Sequence, residues 1–187
     1  MRNSSQLAIR LFQLGGTLSQ LVDLSRIEAG HTEVFFQEFS IRETLRESCA
    51  AAARMAQKQQ VKIEYELAPE ITTIVTDQGK LRQTLFNFIA WAVSRSAAGE
   101  AVRINIDGDA DGMLLFKVID NGETRADLAN VFDPEHGSAN HEPNINELGI
   151  IIGRKLLELI NGHVTLENLA PRGLQSIIQI PARPLKG

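Results

Sequence analysis

From residue 4 to residue 29 the leucines fall at 7, 11, 14, 18 and 21, a four-three-four-three spacing that lays one narrow apolar seam along a helix. Such a seam predicts one member of a helical bundle or coiled coil, making a homodimer through residues 4–29. Docking on the chain's own domain is the alternative. Gly15-Gly16 interrupt the seam at about 1 kcal/mol each relative to alanine, which marks a place to bend. Gly30 suits a left-handed helix end. Beyond it, Glu33-Val34-Phe35-Phe36 reads as a short strand, and Ser40-Ile41-Arg42-Glu43 has capping-box spacing that opens a helix to about Gln59.

Val61 to Leu67 and Ile71 to Val75 read as strands, after which Asp77 caps a helix running to about Ser96. Two longer strands, Ala101 to Asp107 and Met113 to Asp120, flank the Asp-Gly-rich turn 108–112 and form a hairpin. Thr124 to Val131 suits a short helix, and Phe132 to Asn146 is a polar loop without apolar periodicity, which predicts mobility. Leu148, Ile151, Ile152, Leu156, Leu159 and Ile160 are spaced as one buried helix face; Val164 to Leu166 and Ile177 to Ile180 then close a hairpin around Ala170-Pro171-Arg172-Gly173. Antiparallel strands interrupted by three helices imply an α+β fold, a two-layer sandwich with a mixed, mostly antiparallel sheet. The organisation predicted is a dimerisation-type helix over 1–30 and one globular domain over 31–187.

At 187 residues and 43% hydrophobic composition, the chain can bury a real core. Net charge is −4, from 19 basic and 23 acidic residues, with no basic patch interleaved with aromatics, so nucleic acid is not an expected partner. The single cysteine, Cys49, forms no internal disulfide and suits a reducing, cytoplasmic compartment. No run approaches the ~20 apolar residues of a membrane-spanning helix, so no membrane contact is expected from this segment. No Cys/His cluster has zinc-ligand spacing, and no nucleophile elbow supports hydrolase chemistry.

Leu24-Ser25-Arg26-Ile27-Glu28-Ala29-Gly30 resembles the join between dimerisation helices and catalytic domain in bacterial sensor histidine kinases. Asp77 with Leu81-Arg82-Gln83-Thr84-Leu85-Phe86-Asn87 is similar to that family's asparagine box, and Val118-Ile119-Asp120-Asn121-Gly122 to its first glycine box. Leu148-Gly149-Ile150, Arg154-Lys155-Leu156 and Leu159-Ile160-Asn161-Gly162 resemble the end of the second glycine box and its helix. The resemblance runs from about residue 5 to residue 181. It implies the Bergerat-type ATP-binding sandwich shared with gyrase and Hsp90, in the cytoplasmic portion of an inner-membrane sensor or a related phosphorelay protein.

The same resemblance locates the departures. Where the family's second asparagine holds Mg²⁺, this chain has Trp91, whose indole has one N–H and no hard oxygen. Trp91 then reads as a plug in a vacated pocket, with a plain core position as the alternative. Thr124 replaces a glycine that lets backbone approach nucleotide, and Ile145-Asn146-Glu147 precede the single Gly149 where further glycines cradle phosphate. Glu147 brings negative charge to that place, where unit charges about 4 Å apart repel by roughly 1 kcal/mol in water and about 4 at an effective dielectric of 20. The usual basic residue becomes Ser94 and the aromatic after it Arg95. Asn87, Asp120, Gly122 and Gly149 remain as residual nucleotide-site positions, with Asp120 at the place of the family's adenine-binding carboxylate; each also reads as an ordinary cap, surface bond or close-packing position.

None of His31, His136, His141 or His163 heads the phosphoacceptor pattern. The expectation is therefore a phosphorelay module that has lost ATP–Mg²⁺ binding, has no catalytic residue or metal site of its own, and acts by docking a receiver or phosphotransfer domain. The alternatives are a working kinase domain that binds ATP with Mg²⁺ through altered contacts, and a nucleotide-sensing switch without turnover.

Overall fold

The computed structural model describes residues 18–133 and 144–184. Leu7, Leu11, Leu14 and Gly15-Gly16, and with them most of the expected seam, lie outside the described residues, as does the greater part of the polar loop.

Helix α1 spans Leu18–Glu28. It stops at Gly30 with φ +70°, where the N–H of Gly30 bonds to the carbonyl of Ile27 at 3.2 Å and that of His31 to Arg26 at 3.1 Å. This paired closure satisfies the last carbonyls and needs a residue that accepts left-handed backbone. Strand β1 is Gln37–Ser40, not residues 33–36. The aromatic run suggested a strand, yet its backbone bonds to side chains instead: the Phe35 N–H donates to Asp77 Oδ2 at 3.0 Å, and Lys80 Nζ donates to the Glu33 carbonyl at 2.6 Å. Phe35 and Phe36 stay 67% and 45% exposed.

Helix α2, Ile41–Lys58, starts from Ser40, whose side chain accepts from the Glu43 N–H. Strand β2 is Lys62–Leu67 and β3 is Thr73–Thr76; β3 pairs antiparallel with β1 in a small two-stranded sheet. Helix α3, Gln78–Arg95, is capped by Asp77. Strands β4, Ala101–Gly108, and β5, Met113–Ile119, form the expected hairpin. The segment 124–131 gives only a 3-10 turn at Leu128–Asn130, because Arg125 bonds through both its N–H and its carbonyl to the Asn168 side chain at 2.9 and 2.7 Å. Helix α4 is Ile145–Leu159; β6, His163–Asn168, and β7, Leu174–Pro181, close the chain.

The main sheet has the order β2-β4-β5-β7-β6, with β2 parallel to β4 and every other pair antiparallel. Alternate residues of its inner face, including Val102, Ile104, Ile106, Phe116, Val118 and Ile178, are buried under α2, α3 and α4. This is the two-layer α+β sandwich expected from the pattern. Leu24 of α1 forms a smaller cluster with Leu148, Ile151, Ile152 and Leu156 of α4, worth about 2 kcal/mol for Leu24 alone. Burial pushes the Cys49 thiol up to about 11, so it stays protonated at neutral pH.

Asp77 ties these parts together, capping α3 through the Lys80 N–H, pairing with Lys80 Nζ at 2.9 Å and receiving the Phe35 N–H. Burial works to raise its pKa, but the hydrogen bonds from Phe35 and Lys80, with the lysine charge, outweigh it and hold the carboxylate below its usual value. Asp77→Ala is expected to lower stability by about 2 kcal/mol. Because the folded pKa is depressed, that contribution is complete above about pH 4 and fades as pH falls through the folded value. Urea unfolding of both proteins from neutral to acid pH checks it: the gap between them should close on the acid side, and a constant gap counts against it.

Candidate functional site

The expected site residues separate into two centres along α3. One gathers Asp120, Gly122, Trp91 and Arg95 near the helix's C-terminal end. The other brings Asn87 beside Gly149 at the start of α4.

At the first centre, β5 ends and delivers Asp120 to a tight turn. Its Oδ1 accepts the N–H groups of Gly122 at 2.8 Å and Leu174 at 3.2 Å, and its Oδ2 accepts Arg95 Nε at 2.7 Å. The carboxylate is 1% exposed and the Arg95 side chain 14%. Arg95 Nη2 donates to the Glu123 carbonyl, and the guanidinium carbon lies 5.3 Å from the centroid of the Trp91 ring. Trp91 itself is 1% exposed and belongs to the main core. A side chain at Gly122 would place its Cβ 2.7 Å from the Arg95 carbonyl, so glycine lets this turn close against the last turn of α3. Thr124 stands outside this cluster, exposed to solvent.

At the second centre, Asn87 is buried and its Oδ1 accepts from Gln83 Nε2 at 3.1 Å. A Cβ on Gly149 would sit 3.7 Å from Asn87 Cγ, ordinary van der Waals distance, so close approach does not demand glycine there. The first N–H groups of α4 are already engaged: Asn144 Oδ1 accepts from Asn146 and Glu147, both at 3.0 Å, and Glu147 returns a bond to the Asn144 N–H. This is a complete capping box.

Glu147 is buried, and its charge meets Arg125, which also grips Asp127 through Nε at 2.9 Å and Nη2 at 2.7 Å. Hydrogen bonding to Asp127 foremost, opposed by burial and reinforced by Glu147, raises the guanidinium pKa above its ordinary value. The negative charge that the sequence brings to this place at Glu147 is paired in the structure with Arg125, 22 residues away. A cavity of about 280 Å³ opens beside this centre, lined by Gln20, Asp23, Gln83, Asn87, Asn146 and Gly149 together with Met55, Phe86, Ala90 and Ile145. Among the described residues that line it, the charged one is Asp23.

Three residues that shape the site went unassigned by sequence reasoning. Arg95 appeared only as a lost aromatic, and Arg125 and Asn144 did not appear. Asn144 was legible in principle, because Asn-x-x-Glu ahead of an apolar run is a capping signal. The partners of Arg95 and Arg125 are set by tertiary folding and left no local trace. No described helix is long and apolar enough to cross a membrane.

Comparison with known proteins agrees with this architecture. The model of the histidine kinase-, DNA gyrase B- and HSP90-like ATPase family matches residues 76–184. The autoinducer 2 sensor kinase/phosphatase LuxQ of Vibrio harveyi is 27% identical over 178 residues, covering 89% of this chain and 20% of that protein. The sensor histidine kinase GacS of Pseudomonas protegens is 24% identical over 177 residues, covering 88% and 19%. The chain thus spans about a fifth of the length of these relatives. Among solved structures, full-length ShkA in complex with AMPPNP superposes with a TM-score of 0.74 at 25% identity, covering 88% of this chain and 35% of that one. Histidine kinase ThkA in complex with the response regulator TrrA gives 0.70 at 23% identity, covering 91% and 49%.

Proposed function

The chain belongs to the histidine kinase-, DNA gyrase B- and HSP90-like ATPase family, and from that membership we propose that it is a two-component signalling module that has lost ATP–Mg²⁺ binding and works by docking other proteins. One observation carries the reading. Among the described residues that line the cavity beside the place where this family cradles phosphate there is no cation, and the N–H groups of Asn146 and Glu147 at the start of α4 are bonded to Asn144. A triphosphate would have to give up water for a pocket whose one charge among the described residues is the Asp23 carboxylate, which does nothing to offset that cost. At the position of the metal-binding asparagine, Trp91 supplies neither oxygen nor space.

The sandwich keeps its packing while these ligand groups are spent on one another. Asn87, Asp120 and Gly122 therefore serve the fold, and phosphoryl transfer from ATP is not part of the module's work. Its partner would be a receiver or phosphotransfer domain; the complex of ThkA with its response regulator supports that choice. Pairing of two copies through residues 4–29 completes the proposal, in the cytoplasmic part of a longer signalling protein.

Titration of ATP with and without Mg²⁺, followed by calorimetry and by the fluorescence of the single tryptophan, tests the loss of binding. No saturable signal is expected up to about 1 mM, which corresponds to some 4 kcal/mol of binding. Binding that is tighter than this and strengthened by Mg²⁺ would make the chain a working kinase domain.

A further inference from the structure

We propose that Arg95 is a built-in ligand: its guanidinium occupies the base-recognition position of this fold, presents the donor edge that a purine amino group would present, and thereby determines that the domain accepts no free base. The inference rests on the family placement of Asp120 and deepens the reading above from the base end of the site.

The geometry is that of a bound planar donor. Two N–H groups of one flat group are spent on two acceptors, Nε on Asp120 Oδ2 at 2.7 Å and Nη2 on the Glu123 carbonyl. The guanidinium carbon of the same group lies over the Trp91 ring, 5.3 Å from its centroid. A planar group that donates through its edge above an aromatic ring is also how a protein pocket holds an amino-substituted nitrogen heterocycle. The turn at Gly122 packs against the same arginine, where an added Cβ would lie 2.7 Å from the Arg95 carbonyl oxygen and 3.1 Å from its Nη2. Asp120 has no oxygen left over, because its second one takes two backbone N–H groups. A base could enter only by displacing the arginine from a carboxylate that is 1% exposed. Shortening the arginine should therefore bare an acceptor pair beneath an aromatic face, a site for planar donors such as adenine or methylguanidine.

The test compares the unaltered chain, Arg95→Ala, and the double variant Arg95→Ala with Asp120→Asn, in which an amide can face the vacated space with its NH₂ group. Adenine and methylguanidine are titrated separately, with Trp91 fluorescence and thermal shift as readouts. Neither probe carries phosphate, so the result is independent of the phosphate end. Arg95→Ala is expected to bind both probes below about 1 mM, and the unaltered chain at least about tenfold more weakly. The double variant should fold and take neither. If Arg95→Ala fails to fold alone, either probe should restore its near-ultraviolet circular dichroism. Arg95 is only a counter-ion if the folded Ala variant ignores both probes, if neither probe rescues an unfolded one, or if the unaltered chain takes adenine equally well. Binding of ATP–Mg²⁺ but not adenine by the unaltered chain, with adenine gained by Arg95→Ala, would overturn the loss of ATP binding and leave the role of Arg95 standing.

Discussion

Trp91→Asn, which puts back the residue type found at the metal position in this family, is expected to cost about 4 kcal/mol of stability and to restore no ATP binding. The first part follows from burial: Trp91 is among the largest fully buried side chains, and truncating such a residue typically costs about 3–5 kcal/mol. The new carboxamide adds a desolvation penalty of about 1–3 kcal/mol wherever its polar atoms find no partner. The second part follows from the groups the substitution leaves unchanged. Asp120 stays bonded to Arg95, Gly122 and Leu174, and the α4 N–H groups stay bonded to Asn144. The variant has no tryptophan, so urea unfolding is followed by circular dichroism and nucleotide by calorimetry. With a urea slope near 2 kcal/mol/M, the midpoint should fall by about 2 M. Micromolar ATP binding by this single variant would defeat the proposed function, and an unchanged midpoint would deny Trp91 its place in the core.

Arg125→Ala is expected to cost about 3 kcal/mol, since removing one partner from a buried ion pair typically costs about 3–5. Arg125 is 13% exposed and holds Asp127 bidentately while its Nη1 binds Glu147, which is 5% exposed. Glu147 keeps its bond from the Asn144 N–H, which places the expectation at the lower end. Arg125→Lys should recover less than half, because an ammonium group cannot bond Asp127 with two parallel N–H groups and reach Glu147 as well. Urea midpoints of the three proteins give the comparison. A loss below about 0.5 kcal/mol would mean that the pair behaves like an exposed one.

How much was legible beforehand depends on how local each determinant is. Ser40, Asp77 and Gly30 announce helix ends through bonds to residues within five positions of themselves, and all three do so in the structure. The hairpin around 108–112 is equally local, with Asp109 Oδ1 accepting the N–H groups of Asp111 and Met113, both at 2.9 Å. The misplaced strand at 33–36 shows the limit. Its composition favours a strand, but its backbone partners lie 42 and 47 residues away on Asp77 and Lys80. Arg95 and Glu147 fail for the same reason, because each was read by its own charge while its meaning depends on Asp120 and Arg125, 25 and 22 residues distant. Trp91 is buried in the main core with Arg95 over its ring, which matches the core alternative.

Helix α4 is buried on more than one side: Ile150 and Leu157 serve the main core, whereas Leu148, Ile151, Ile152 and Leu156 meet Leu24 of α1. Cutting the chain at Gly30 would strip that cover and bare four adjoining aliphatic side chains on an otherwise intact sandwich. Contiguous greasy surface of this kind draws molecules together. A shortened version beginning at residue 31 would therefore tend to precipitate or self-associate, and the segment 18–28 is best counted as the domain's own lid on its second core when fragments are designed.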